Sequence, residues 1–301
     1  MVSDPSAWQV VARRLEEELG EPVRAAGRLA RARRSRETWA ASTETLGELV
    51  VKVRHGDRAD EKTQWCAANL PRLAARGYPV PTIVWHGLLE DEWHAVVQRR
   101  LPGHPLASLN APMLDAMLSL VDLQADADAD ISPDERDFAG YIANVLFDDW
   151  DHVWGDAARA STAADELCGR IRGWLQPVWG LQLPPTDYTN NDLNLSNVLS
   201  DGKQITGVVD WDEFGLGSRA IDLTALAFDC ERLGDHAAAD RLFARAVSIV
   251  GSDGLRCIVS YRAIAQLAAL AREHRADAIT TAVATSSGIL DRLEEGNRPL
   301  S

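Results

Sequence analysis

Four residues with oxygen-bearing side chains, Asp192, Asn197, Asp210 and Asp212, bracket one short stretch of the chain. The first two lie on a loop entering a short apolar segment, residues 197–199. The other two lie where a second apolar segment, residues 205–210 (ITGVVD), ends. Asp201-Gly202 between them is a hairpin turn signal. A hairpin with a short turn brings its open ends together, so the four polar groups are expected to converge. Carboxylate and amide oxygens grouped at strand ends suit a hard, oxygen-seeking cation such as Mg²⁺. Asn and Asp also populate turns for backbone reasons alone. That explanation serves for any one of these residues better than for four in this order followed by Gly215 and Gly217.

The elements that must hold this group can be read from periodicity. Residues 5–19 place Trp8, Val11, Leu15 and Leu19 on one face of an amphipathic helix. Residues 28–40 form a strand–turn–strand candidate rich in arginine, and residues 48–54 (ELVVKVR) form a strand with Lys52 in its middle. Residues 60–76 have helical composition interrupted by Pro71. Residues 77–81 (GYPVP) turn into a strand at 82–85, and 93–99 is another strand followed by the Pro/Gly segment 101–105. Beyond it, residues 111–126, 135–154, 162–178 and 221–295 are Ala/Leu-rich with helical spacing, interrupted by the hairpin. The fold class expected is therefore α+β. Residues 1–100 would make a small β-rich lobe, and residues 101–301 a larger helical lobe carrying the hairpin.

Composition narrows the function. With 301 residues, 46% hydrophobic and 25% charged, the chain is neither disordered nor a disulfide scaffold. No apolar run approaches a bilayer span and no signal-peptide core opens the chain, so no membrane partner is expected. Cys66, Cys168, Cys230 and Cys257 are widely spaced and read as reduced thiols of a cytoplasmic protein. Residues 1–100 carry 16 basic and 14 acidic side chains, whereas residues 101–301 carry 15 and 31. The acidic second part would repel nucleic acid and suit a cationic ligand. A solubilising acidic surface explains the same imbalance. No pattern specifies an oligomeric state.

The segment Asn190-Asn191-Asp192-Leu193-Asn194-Leu195-Ser196-Asn197-Val198-Leu199 resembles the H-G-D-x-x-x-x-N-V-L catalytic loop of the aminoglycoside phosphotransferase and choline kinase-like family. Residues 209–215 (VDWDEFG) resemble that family's I-D-W-E-x-x-G segment, and 218–223 (SRAIDL) the D-P-A-x-D-L that follows. Lys52, residues 77–81 and residues 101–106 (LPGHPL) have counterparts in the same order. The resemblance covers about residues 25–225. It implies a bilobal protein-kinase-like fold and ATP-dependent phosphoryl transfer to a hydroxyl of a small molecule, a reaction that needs alignment and charge cancellation more than covalent chemistry. By the same resemblance, Asp192 would orient the acceptor hydroxyl and take its proton, and Asn197 and Asp210 would hold Mg²⁺. Lys52 would reach the ATP phosphates, held by Glu61 of the following helix. Segment 97–101, with Gln98 and Arg100, would meet adenine. Asp212 would serve substrate or support its neighbours, and Asp222 would buttress the catalytic loop. Asp148, Asp149 and Asp151, beside Trp150 and Trp154, together with Asp229 and Glu231, are the candidates for binding an amine-bearing acceptor such as an aminoglycoside.

Two departures from the family pattern stand out. Asn190 and Asn191 replace the family's His and Gly, with Asn190 able to keep a hydrogen bond. Residues 31–40 contain no glycine where a phosphate-covering loop is expected, leaving Ser35 and Thr38 as donors and Arg33, Arg34 and Arg36 as charge. Three other functions remain open at this point. One is a metabolic kinase acting on choline, a sugar or an amino-alcohol. Another is a nucleotide-binding module without catalysis. The last, a metal-dependent hydrolase, leaves Lys52 unexplained.

Overall fold

The computed structural model describes residues 5–30, 36–55, 59–89, 93–127, 136–149 and 152–296. The chain divides into two compact units, residues 1–104 with 199–212, and residues 105–198 with 213–301. A single cut at residue 100 therefore misplaces the hairpin, which belongs with the first unit.

In the first unit, α1 (Pro5–Leu19) is followed by β1 (Arg24–Ala30), β2 (Arg36–Thr43), β3 (Gly47–His55), α2 (Ala59–Ala75), β4 (Ile83–Leu88), β5 (Trp93–Arg99) and the two-residue β6 (His104–Pro105). Strands β1 to β5 form an antiparallel sheet in the order β1–β2–β3–β5–β4. Strand alternation decides what each face carries. Leu49, Val51 and Val53 of β3 are buried with Ala95 and Val97 of β5 against Val11 and Leu15 of α1. Lys52 and Arg54, the intervening residues, are thereby turned to the opposite face. Helix α2 runs through Pro71 without ending there. Trp65, Cys66, Leu70 and Leu73 are buried along it, and this packing outweighs the one backbone hydrogen bond that proline cannot donate.

The hairpin of β8 (Val198–Ser200) and β9 (Ile205–Val208) is closed by Asp201, whose Oδ1 accepts from the amides of Lys203 and Gln204, both at 2.9 Å. The Val208 amide donates to the Pro79 carbonyl at 2.8 Å, tying the hairpin to the GYPVP turn. Gly103 is required beside it: its φ is +105°, and a Cβ there would lie 2.5 Å from Thr206 Oγ1 and 2.8 Å from the Ser200 carbonyl oxygen.

The second unit holds α3 (Ala111–Asp122), α4 (Phe138–Asp148), α5 (Val153–Arg159), α6 (Thr162–Leu175), α7 (Ala220–Arg232), α8 (His236–Arg272) and α9 (Ala276–Gly296). The expected helix 135–154 is two helices, because Asp149 and His152 between them are both left-handed. The expected helical stretch 221–295 is divided into α7, α8 and α9, and α8 is itself kinked at Gly251, whose φ of 72° and ψ of 173° are not helical. Asn110, Asp137, Ser161 and Asp235 cap their helices with side-chain oxygens. Two strands escaped the sequence pattern, β7 (Asp187–Thr189) and β10 (Gly215–Gly217), paired antiparallel. Both are three residues long and wholly buried, so they offer no alternation to read. The four cysteines are buried thiols outside any disulfide. Burial pushes the Cys168 thiol up to about 11, and those of Cys230 and Cys257 to about 12, so they remain inert thiols. Among the described residues, no helix is long and apolar enough to cross a membrane.

Candidate active site

In the second unit, the loop after β7 is fixed by one carboxylate. Asp222, in the first turn of α7 and fully buried, accepts the Asn190 amide on Oδ2 and the Asn191 amide on Oδ1, both at 2.8 Å. Oδ2 also accepts from Gln124 Nε2 at 2.7 Å. Burial raises the Asp222 pKa to about 6, outweighing the hydrogen bonds that favour its charged form. Asp222 thus holds the loop as the sequence suggested.

The loop's two departures from the family pattern are accommodated within it. Asn190 is buried, and its Oδ1 accepts the Asp192 amide at 3.1 Å. Asn191 has φ 65°, a conformation that suits the glycine of the family pattern at this position. Asn is the side chain that tolerates it best, and here Nδ2 also donates to the Glu213 carbonyl at 2.7 Å.

Asp192 emerges from this frame with 46% of its side chain exposed, one carboxylate oxygen 3.9 Å from Arg262 Nη2. Asn197 is buried and its Nδ2 donates to the Asp192 carbonyl at 2.9 Å. Alongside is a cavity of about 420 Å³ lined by Leu106, Asn194, Ser196, Asp229, Arg232 and Arg262. Arg262 comes from deep within α8, where no local sequence signal marked it.

The other two oxygen-bearing residues belong to the first unit. Lys52 Nζ donates to Asp210 Oδ1 at 2.6 Å and to Asp212 Oδ1 at 3.2 Å, and Arg54 Nη2 pairs with the same Asp212 oxygen. Lys52, Arg54 and Asp212 are 14%, 11% and 16% exposed, whereas Asp210 is 43% exposed. Burial opposes the Lys52 charge, but Asp212 and Asp210 outweigh it and hold its pKa above the ordinary lysine value. Trp211 anchors the segment. It is 2% exposed, its Nε1 donates to the Val208 carbonyl at 2.8 Å, and Tyr78 packs edge-on against it. Its own carbonyl accepts from Cys66 Sγ of α2 at 3.2 Å.

The remaining expected residues are scattered in role. Glu61, expected to hold Lys52, is exposed on α2, and the carboxylates that reach Lys52 are Asp210 and Asp212. Asp212 pairs with Lys52 and Arg54, in line with the second of its two expected roles, support of its neighbours. Gln98 is buried in β5 opposite Val50 and Ile83. Arg100 is exposed, and its amide donates to the Glu48 carbonyl at 3.0 Å, so that amide is spent within the sheet. Asp148 and Asp149 are exposed at the end of α4, and Asp149 Oδ1 accepts the Trp154 amide at 3.1 Å. Trp154 is core rather than pocket wall, 3% exposed with its indole N–H on the Val145 and Leu146 carbonyls. Asp229 accepts the Leu195 amide at 2.9 Å and pairs with Arg232. Glu231 is corrected to a structural residue, its side chain 5% exposed and paired with Arg292 and His236. Ser35, Trp150 and Asp151 lie outside the described residues. Among the described residues, no group of three or more His, Cys, Asp or Glu is arranged to hold a metal ion.

Residues 26–258 match the model of the phosphotransferase enzyme family. The chain belongs to that family. Over 177 residues this phosphotransferase is 27% identical to hygromycin-B 4-O-kinase of Escherichia coli, a match covering 52% of the chain and 49% of the relative. The match thus spans about half the length of that curated relative. A thermostable mutant of aminoglycoside phosphotransferase APH(4)-Ia, solved as a ternary complex with ADP and hygromycin B, is similar with a TM-score of 0.70. It is 20% identical, over 96% of this chain and 99% of that one. APH(3'')-Id from Streptomyces rimosus is similar with a TM-score of 0.59, 15% identical over 87% and 98% of the two chains. These likenesses establish that the phosphotransferase has the aminoglycoside phosphotransferase form of the protein-kinase-like fold.

Proposed function

We propose that this phosphotransferase moves the γ-phosphoryl group of ATP to a hydroxyl of an amine-bearing small molecule of the aminoglycoside kind. The observation that carries the reading is the 2.6 Å contact between Lys52 and Asp210, 158 residues apart and each at the position its motif assigns. The solved relative holding ADP and hygromycin B supports both the nucleotide and the acceptor class. The acidic excess of residues 101–301 supports a cation.

In this reading Lys52 meets the nucleotide phosphates, and segment 97–101 with Gln98 and Arg100 meets the adenine. Asp192 accepts a hydrogen bond from the acceptor hydroxyl and orients one of its lone pairs. The hydroxyl oxygen bonds to the γ-phosphorus, the bond to the β,γ-bridging oxygen breaks, ADP leaves, and the hydroxyl proton passes to Asp192 late. A divalent cation suits the donor chemistry of Asp210 and Asn197. Asp210 keeps 43% of its side chain exposed, and Asn197 spends its amide nitrogen on the Asp192 carbonyl, leaving its oxygen to offer. Mg²⁺ bound by these residues would cancel phosphate charge.

One observation favours a second acceptor class. The wall of the cavity beside Asp192 carries Arg232 and Arg262 along with Asp229, and each arginine faces a carboxylate. Such a wall suits a ring offering oxygens, as in a sugar or amino-alcohol, better than one offering several ammonium groups. The deciding experiment is a coupled ADP-release assay with ATP and with GTP over hygromycin B, kanamycin, amino sugars and choline. Turnover of hygromycin B or kanamycin with ATP is expected. Turnover confined to choline or sugars selects the second reading, ADP binding without any turnover leaves a nucleotide-binding module, and absence of ADP binding removes the proposal.

A further inference from the structure

Lys52 is gripped from a direction the family resemblance does not anticipate. Residues 52 and 54 alternate onto the same face of β3, so their cationic heads project side by side. A single carboxylate, Asp212, bridges both. The segment carrying Asp212 is pinned by Trp211, whose carbonyl accepts from Cys66 of α2 and whose ring lies against Tyr78. Helix α2 thereby contacts the backbone of the segment that carries Asp210 and Asp212.

The two aspartates differ in kind. Asp212 is 16% exposed and shared between two cations, which makes it an anchor; Asp210 is 43% exposed and open to a ligand. An ammonium has three N–H donors. With one on Asp212 and one on Asp210, Lys52 keeps a third for an incoming oxygen. Arg54 completes the arrangement. Its guanidinium is always charged and shares the Asp212 oxygen, so that Asp212 aligns Lys52 without saturating it.

We propose that Asp212, clamped by Arg54, is the positioning residue that aims Lys52 at the nucleotide phosphates, the task the family resemblance gives to Glu61. This rests on the role of Lys52 proposed above.

The test uses the full chain and four variants, Asp212→Asn, Asp212→Glu, Arg54→Met and Glu61→Gln, with Lys52→Met as reference. Calorimetric ADP affinity and the KM and kcat for ATP with hygromycin B as acceptor are read for each, after thermal melts establish folding. Asp212→Asn is expected to weaken ADP binding about tenfold and to raise the KM for ATP by a similar factor, with a loss in kcat of up to about 10² as alignment is lost. Arg54→Met is expected to do the same at about a third of that size, from the weaker hold on Asp212. Asp212→Glu, which restores the charge on a longer arm, recovers most of the ADP affinity. Glu61→Gln costs at least tenfold less turnover than Asp212→Asn.

An Asp212→Asn variant that folds and binds ADP like the wild type overturns the inference, as does Glu61→Gln matching its loss. If Lys52→Met also leaves ADP affinity and turnover intact, the proposed function falls with it. If Lys52→Met is damaging and Asp212→Asn is not, only the positioning role is lost.

Discussion

The loop 190–197 and the segment 210–212 each carry an aspartate that the proposed function puts to use, and each contains a left-handed residue other than glycine, Asn191 at φ 65° and Asp210 at φ 60°. They are held by different forces. The loop hangs on a buried carboxylate and amide hydrogen bonds, a network in which every lost partner leaves a polar group stranded in the interior. The segment is fixed by an apolar anchor, Trp211, and by two largely buried cations, of which Lys52 also meets the half-exposed Asp210. One arrangement is suited to keeping a general base in a fixed pose. The other lets charged partners be exchanged for those of a ligand.

The largest effect separating the two regions is expected from Asp192→Ala. Single-turnover assays should show kcat lower by about 10³, with ADP affinity within a factor of about three, because the loop's main-chain amides at 190 and 191 are held by Asp222. Asp222→Ala attacks the frame itself. Denaturant titration should register a loss of about 3 kcal/mol, from two backbone amides and one side-chain amide left without an acceptor.

Acidity probes the same carboxyl. Its pKa is raised in the folded chain from the usual 3.8 to about 6. Its contribution to stability is therefore fully present below about 3.8 and lost as pH rises through about 6, a change of about 3 kcal/mol. Asp222→Asn has no such step, so its stability deficit relative to the wild type should shrink between pH 4 and pH 7. A deficit that grows over that range would contradict the assignment.

Asn191 offers a finer test. Asn191→Ala should cost about 2 kcal/mol, from the left-handed backbone and the lost bond to the Glu213 carbonyl, and Asn191→Gly only about 1 kcal/mol, from the lost bond alone. In the segment, Asp210→Asn, which tolerates the left-handed backbone there, should weaken Mg²⁺-dependent nucleotide binding about tenfold while thermal stability changes little, because Trp211 keeps the backbone in place. A large fall in melting temperature there would mean that both regions are held by charge.

What could be read from the sequence follows the range of the interactions involved. Helix α1 and strand β5 fall at the bounds their apolar periodicity gave, and Lys52 sits mid-strand on the face that alternation assigns it. Asp222 was legible as a buttress because its motif lies a fixed distance beyond the loop. The partner of Lys52 was not: Glu61 has the right charge and a nearby place in the chain, but the spatial neighbour is Asp212, about 160 residues on, and only tertiary packing around Trp211 brings it there. Arg54 could have been noticed from its two-residue spacing to Lys52. Arg262 could not, since one arginine in a 37-residue helix carries no positional cue. Glu231 misled for the opposite reason, since acidic composition does not distinguish a surface carboxylate from one spent on Arg292.

The grip of Asp222 is on main-chain amides, which every residue but proline supplies. The side chains at 190 and 191 add their own bonds to the Asp192 amide and the Glu213 carbonyl, but the hold on the main chain does not depend on them. Two asparagines can therefore stand where the family pattern has a histidine–glycine pair while the aspartate that follows keeps its bearing. A change at Asp222 therefore threatens this turn more than a change at either asparagine.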